Sequence, residues 1–121
     1  MQRYLAAPTI LRYENGKFVD VTTEFPELIQ KDAESSLTSA KANKEFASFY
    51  ALPSYLYDMY RLGKINEARP IFDQVCKTVI MPHLESSNVE FDCHEFRNNV
   101  EKYIEEFSIE RFKADTWVLQ N

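Results

Sequence analysis

Apolar residues recur along this chain in two rhythms, an alternating one near the N-terminus and a three-to-four-residue one from residue 23 onward. In Thr9-Ile-Leu-Arg-Tyr-Glu-Asn-Gly-Lys-Phe-Val-Asp-Val21, two short β-prone runs flank Asn15-Gly16. Asn-Gly accepts positive φ readily and suits a two-residue type I′ turn, so the stretch predicts a β-hairpin over 8–22. Ile10, Arg12, Phe18 and Asp20 sit at alternating positions. A lone hairpin is marginal in water, so it has to pack on the helices that follow or on strands that precede it.

Thr23 and Pro26 read as a helix start, with a hydroxyl to cap free amides and a proline in the first turn, where its missing N–H has no partner to lose. Phe25, Leu28, Ile29, Ala33, Leu37 and Ala40 then recur at helical spacing, which predicts a helix from about Pro26 to Ala42. A second helical pattern begins near Asn43 and is kinked or broken at Leu52-Pro53. Gly63 ends it, and Asn66 is positioned to cap a third helix, so that the two form an antiparallel helical hairpin stopped at Pro82. Glu85 to Phe91 read as a polar loop. Asp92-Cys-His-Glu95 has the form of a capping box in front of a helix that runs to Phe107. The tail, 108–121, has no clear period, and Thr116-Trp-Val-Leu119 suits a short strand added to the hairpin. The fold class is therefore mainly α, with four to five helices and an N-terminal β-hairpin: one domain over 1–121, with a helical body at 23–107.

Composition narrows the possible partners. Hydrophobic residues make up 45% and charged residues 27% of 121 positions, a globular balance. Nineteen acidic against fourteen basic residues give a net charge of −5, which disfavours a phosphate-binding surface and with it nucleic acid. No apolar run approaches the ~20 residues of a membrane span, and the first ten residues lack the sections of a secretion signal.

Cys76, His83, Cys93 and His94 combine soft sulfur with imidazole, a zinc-type set. Their spacing lacks a Cys-x2-Cys or His-x3-His pair, so no metal is assigned. Cys76 reads either as a small core residue or as the disulfide partner of Cys93, tying the end of the third helix to the start of the fourth. Cys93 beside His94 at a helix start also has the form of an activated thiol, with Asp92 and Glu95 nearby. The chain holds only two glycines, Gly16 and Gly63. The turns use both, which leaves none for a phosphate-cradling loop or an oxyanion turn. Carboxylates such as Glu101, Glu105 and Glu106 read as a solvated helix face. The expectation is a protein without catalytic activity and without a cofactor.

The stretch from Phe46 to Tyr60 is rich in aromatics that cannot all face inward. One stripe takes Phe46, Phe49, Leu52, Leu56, Met59 and Tyr60, leaving Tyr50 and Tyr57 on a flank. There they are either covered by the hairpin or tail or exposed as interface anchors. Tyr50, Tyr55, Tyr57 and Asp58 are the candidate partner-binding residues.

Leu62-Gly63, Ala68 and Phe72 resemble the inner half of a tetratricopeptide-type unit, locally and without a repeat. Tyr4 to Ala33, with Gly-Lys-Phe-Val-Asp-Val-Thr22, Phe25-Pro26 and Lys31-Asp-Ala33, resembles the C-terminal region of uncharacterised exported bacterial proteins. The resemblance implies a periplasmic or secreted address, oxidised cysteines and strands upstream of the hairpin. Two functional expectations follow. One is a small acidic binding or inhibitory protein of the bacterial envelope, of the immunity-protein kind, that meets a toxin or enzyme through a basic cleft. The other is a structural C-terminal module of a larger exported protein.

Overall fold

The computed structural model describes residues 8–84, 87 and 90–118, with backbone alone at 45 and 108–118. The chain is mainly helical, with an N-terminal two-stranded antiparallel hairpin, as the periodicity predicts. Strands β1 (Leu11–Glu14) and β2 (Lys17–Asp20) pair Leu11 with Asp20, Arg12 with Val19, Tyr13 with Phe18 and Glu14 with Lys17. Asn15 and Gly16 both have positive φ, 51° and 81°, the geometry of a type I′ turn. Thr22 pins the base of the hairpin. Its buried hydroxyl accepts from the Ile10 amide at 2.8 Å, and its own amide donates to Asp20 Oδ1 at 3.0 Å.

Helix α1 spans Pro26–Ala42. Pro26 occupies its first turn, but Thr23 does not cap it. The N-cap is Phe25, without a side-chain bond, because Thr22–Glu24 form a 3-10 turn that consumes the expected capping position. Asn43, left-handed at φ 48°, closes α1, and its side chain receives the Ser48 amide at 3.2 Å.

Helix α2 spans Ser48–Arg61 without a break at Pro53. The interruption lies earlier, in a 3-10 turn at Lys44–Phe46, where Phe46 has φ 63°. A proline ring crowds the carbonyl four residues back, here Phe49, which is the second residue of α2. The helix is still opening at that point and accommodates the ring. α2 touches α1, α3 and α5 (Cys93–Val118), which makes it the central element. Leu52, Pro53, Ser54, Tyr55, Leu56, Tyr57, Asp58 and Met59 are all buried, on every side of the helix.

Gly63, at φ 73°, ends α2 in a Schellman arrangement. The Lys64 amide donates to Met59 O at 2.7 Å and the Gly63 amide to Tyr60 O at 3.0 Å. Gly63→Ala puts a β-carbon on left-handed backbone, so it is expected to lower stability by about 1–2 kcal/mol, read as a drop in urea midpoint at unchanged m-value. Helix α3 spans Ile65–Val75. Asn66 lies inside it instead of capping it, and its Oδ1 accepts from Arg69 Nη1 at 2.6 Å. Ala68, fully buried, lets α2 and α3 approach as the tetratricopeptide-like pattern requires.

Pro82 does not stop the helix. The chain widens into a π turn at Cys76–Ile80, with the Met81 amide reaching back to Cys76 O, and continues as the short α4, Met81–Leu84. The wider turn relieves the crowding of the Pro82 ring on the carbonyl of Thr78. Of the expected polar loop, residues 85, 86, 88 and 89 lie outside the described residues.

Asp92 caps α5, accepting the His94 and Glu95 amides on Oδ1 at 2.8 and 3.2 Å. The helix does not end at Phe107. It continues to Val118, so the positions from Thr116 to Val118 are helical and form no strand against the hairpin. The stretch 108–118 holds no glycine or proline to stop the helix, which therefore continues without an apolar period.

Candidate functional site

The hairpin places its side chains by simple alternation. Val21 is buried, and Ile10 and Val19, on the same face, are half-buried. The opposite face carries Leu11, Tyr13 and Phe18, which remain 52%, 66% and 51% exposed. Tyr13 and Phe18, cross-strand partners, meet edge to face with centroids 5.4 Å apart. This is the reverse of the usual hairpin, whose outward face is polar. Close by in sequence, Phe25 and Leu28 are also exposed. Arg12, on the inner face, reaches Glu14 at 3.3 Å and Glu24 at 3.2 Å, which fixes the strand to the 3-10 turn behind it.

The four candidate partner-binding residues separate. Tyr50 is 55% exposed. Tyr55 and Tyr57 are buried; Tyr57 lies two turns along the same flank of α2 as Tyr50 but is covered. Burial displaces Tyr55 from any partner surface and pushes its hydroxyl pKa up, with Glu67 adding to the effect. Phe107 covers Tyr57 at 5.5 Å, and the Arg61 guanidinium lies 4.6 Å over its ring. Phe46 and Tyr60, assigned to the inward stripe, are exposed instead, and the Phe46 ring meets the His83 ring edge-on at 4.7 Å. The left-handed turn at Phe46 breaks the helical register that the stripe assumed.

Asp58 is not a surface residue either. Its side chain is fully buried on α2 and accepts from Arg61 Nη2 at 2.7 Å. Asp32 of α1 is its neighbour across the α1–α2 contact. The second carboxyl oxygens of Asp58 and Asp32 are both sealed from solvent and, if both groups are ionised, have no donor. Burial, reinforced by Asp32 and opposed by Arg61, raises the Asp58 pKa to about 8. Arg61 is itself buried, and its Nη1 donates to Pro8 O at 2.9 Å, which ties α2 to the chain just before β1.

The Sγ atoms of Cys76 and Cys93 lie 2.11 Å apart, within disulfide bonding distance, with Cα atoms 5.9 Å apart. Of the two readings of Cys76, the geometry holds both: the residue is fully buried and also paired. A sulfur bonded in this way carries no thiolate, so the Cys93–His94 pair is not poised as a nucleophile. His94 Nδ1 faces Arg97 Nη2 at 3.4 Å instead. Among the described residues, no three His, Cys, Asp or Glu side chains gather where they could hold a metal ion.

Between α3 and α5, Arg97 bridges Asp73 at 2.9 Å and Glu101 at 2.8 Å, and Arg69 reaches Glu101 at 2.6 Å. Partial burial works to raise the Glu101 pKa, but bonds from Arg69 and Arg97 outweigh it and hold the carboxyl below its ordinary range. A shallow surface hollow of about 460 Å³ lies over this network, bounded also by Asn98, Lys102 and Glu105. Its central charges are already paired with one another, which ties the two helices together. Glu105 and Glu106 are exposed, as the solvated face predicts.

No family model, curated protein or solved structure matches the chain. No helix among the described residues is long and apolar enough to cross a membrane.

Proposed function

We propose that the chain is a small acidic protein-binding domain of the bacterial envelope, inhibitory in the manner of an immunity protein. On this reading it engages a partner with a basic cleft through the outer face of its hairpin. The observation that carries the reading is the exposure of Leu11, Tyr13 and Phe18 on one face of a hairpin whose other face is turned to the helical body. Large apolar and aromatic side chains held rigid by a turn anchor interfaces at low entropic cost. The net charge of −5 favours a basic partner and speeds encounter with it. The resemblance of residues 4–33 to exported bacterial proteins supports the envelope address. So does the Cys76–Cys93 pair, since oxidising compartments preserve such bonds.

The test places a photo-crosslinking residue at Tyr13 and, as a control, at exposed Ser35 on α1, in the native host. One stoichiometric adduct from Tyr13, weakened by salt and absent from Ser35, is expected. No adduct at Tyr13 overturns the reading. The double variant Tyr13→Ser, Phe18→Ser is expected to keep its far-UV circular dichroism and to lose roughly 2 kcal/mol or more of binding to the captured partner, measured by titration calorimetry.

A second reading, a structural C-terminal module of a larger exported protein, draws on the two-stranded sheet among the described residues. The free edge of β1 would receive a preceding strand of the same polypeptide. In that case the Tyr13 crosslink forms within one chain and is indifferent to salt.

A further inference from the structure

We infer that Asp32, Asp58 and Arg61 form a proton-operated latch: a single proton shared by the two carboxyl groups holds α1 to α2 and leaves Arg61 free to fasten the base of the hairpin through Pro8. Three geometric facts carry this. Asp58 is fully buried and has Asp32 of the neighbouring helix as its acidic neighbour. One oxygen of each carboxyl is sealed from water and lacks a donor unless a proton lies between them. Arg61 spends one nitrogen on Asp58 and another on Pro8 O, so the cation is divided between the carboxyl pair and the backbone that leads into β1.

Among the described residues, the groups around the shared proton come from three segments. From α1 comes Asp32, half-buried; from α2 come Arg61 and Tyr57, whose ring lies beneath the guanidinium; from the N-terminal segment comes the Pro8 carbonyl. Asp58, the more deeply buried of the two acids, keeps the proton. This agrees with the upward shift of Asp58 to about 8.

The direction of the switch follows. Asp58 has a folded pKa raised above its unfolded value of 3.8, so between roughly pH 4 and pH 8 the folded chain holds a proton that the unfolded chain has lost. The contribution of Asp58 to folding is therefore largest at low pH and weakens as pH rises through that window, and the loss levels off above it. When Asp58 loses its proton, two facing carboxylates compete for Arg61. The cation is drawn toward them and away from Pro8 O, and the hairpin base loosens.

Asp58→Asn keeps the donor and removes the titration. In urea unfolding from pH 5 to pH 9, the folding constant of the wild type relative to Asp58→Asn is expected to fall about tenfold per pH unit up to pH 8 and then to flatten. Amide protection factors of Ile10 and Val21 at the hairpin base are expected to drop in the wild type between pH 7 and pH 9 and to hold steady in Asp58→Asn. Carbon-13 shifts of the aspartate carboxyls, with Asp58 assigned from the variant, give the site directly, with a midpoint near 8. A midpoint below pH 5, or a wild-type to variant ratio constant with pH, overturns the shared proton. An unchanged hairpin protection overturns the coupling to Pro8. Should Asp58→Asn fail to fold, the carboxyl titration of the wild type, assigned with Asp32→Asn, decides the question alone.

Discussion

Phe72→Ala is expected to remove about 3–5 kcal/mol of stability, a large share of the ~5–15 kcal/mol of a domain of this size. Phe72 is fully buried on α3, and its ring lies 5.2 Å from that of Phe96 on α5. Phe96 in turn meets Phe91 at 5.3 Å and Phe49 at 6.3 Å, so one aromatic cluster joins α2, α3, α5 and the segment entering α5. Removing the ring takes away its transfer energy and also leaves a space that three helices, held by other contacts, cannot close. Urea unfolding at constant pH measures the loss as a shift of midpoint. Phe72→Leu, which keeps most of the volume, is expected to lose about a third to a half as much, on the cavity relation. A loss below about 1 kcal/mol for alanine would mean that the cluster does not organise the core.

Much of the fold is legible in the sequence where the signal is local. Asn15-Gly16 sets the hairpin, Pro26 and Asn43 bound α1, and Asp92 starts α5, each through backbone chemistry confined to a few residues. The centrality of α2 is legible too. Between Phe46 and Tyr60 the one charged residue is Asp58, and a helix apolar on all sides is surrounded by others. Assigning it a single stripe is what misplaced Tyr55, Tyr57 and Asp58 on a surface.

The two internal prolines depart from their sequence signal for a common reason. In the sequence Pro53 signals a kink or a break and Pro82 a stop, yet one falls where its helix is still opening and the other follows a π turn, so neither meets the regular helix interior that would be interrupted. The candidate site divides along the same line. The exposed face of the hairpin follows from strand alternation once the inner face is known, and the spacing of Tyr57 and Arg61 already marks a one-turn pair on α2. Asp32 lies on another helix. Nothing local joins it to Asp58, and only the packing of α1 on α2 brings the two acids together.

Reducing the Cys76–Cys93 pair is expected to lower stability by about 3 kcal/mol and the melting temperature by roughly 10 °C. The two sulfurs lie within bonding distance across a sequence separation of 17, with one cysteine at the start of the π turn and the other at the first residue of α5. Between them lies the segment after α4, so the bond closes a loop that would otherwise be free to sample many arrangements in the unfolded chain. The effect acts mainly on that unfolded ensemble. The double variant Cys76→Ala, Cys93→Ala is therefore expected to reproduce the loss and to be indifferent to reductant, while keeping the helical circular dichroism of the parent. Cys→Ser would confuse the comparison, because both positions are buried and a hydroxyl there adds its own penalty. The same bond tests the proposed address. Protein recovered from the envelope and alkylated without reductant is expected to take no label and to have an intact mass short by two hydrogens. Two labelled thiols in that material, with the urea midpoint unmoved by reductant, would count against both the bond and the oxidising compartment proposed for the chain.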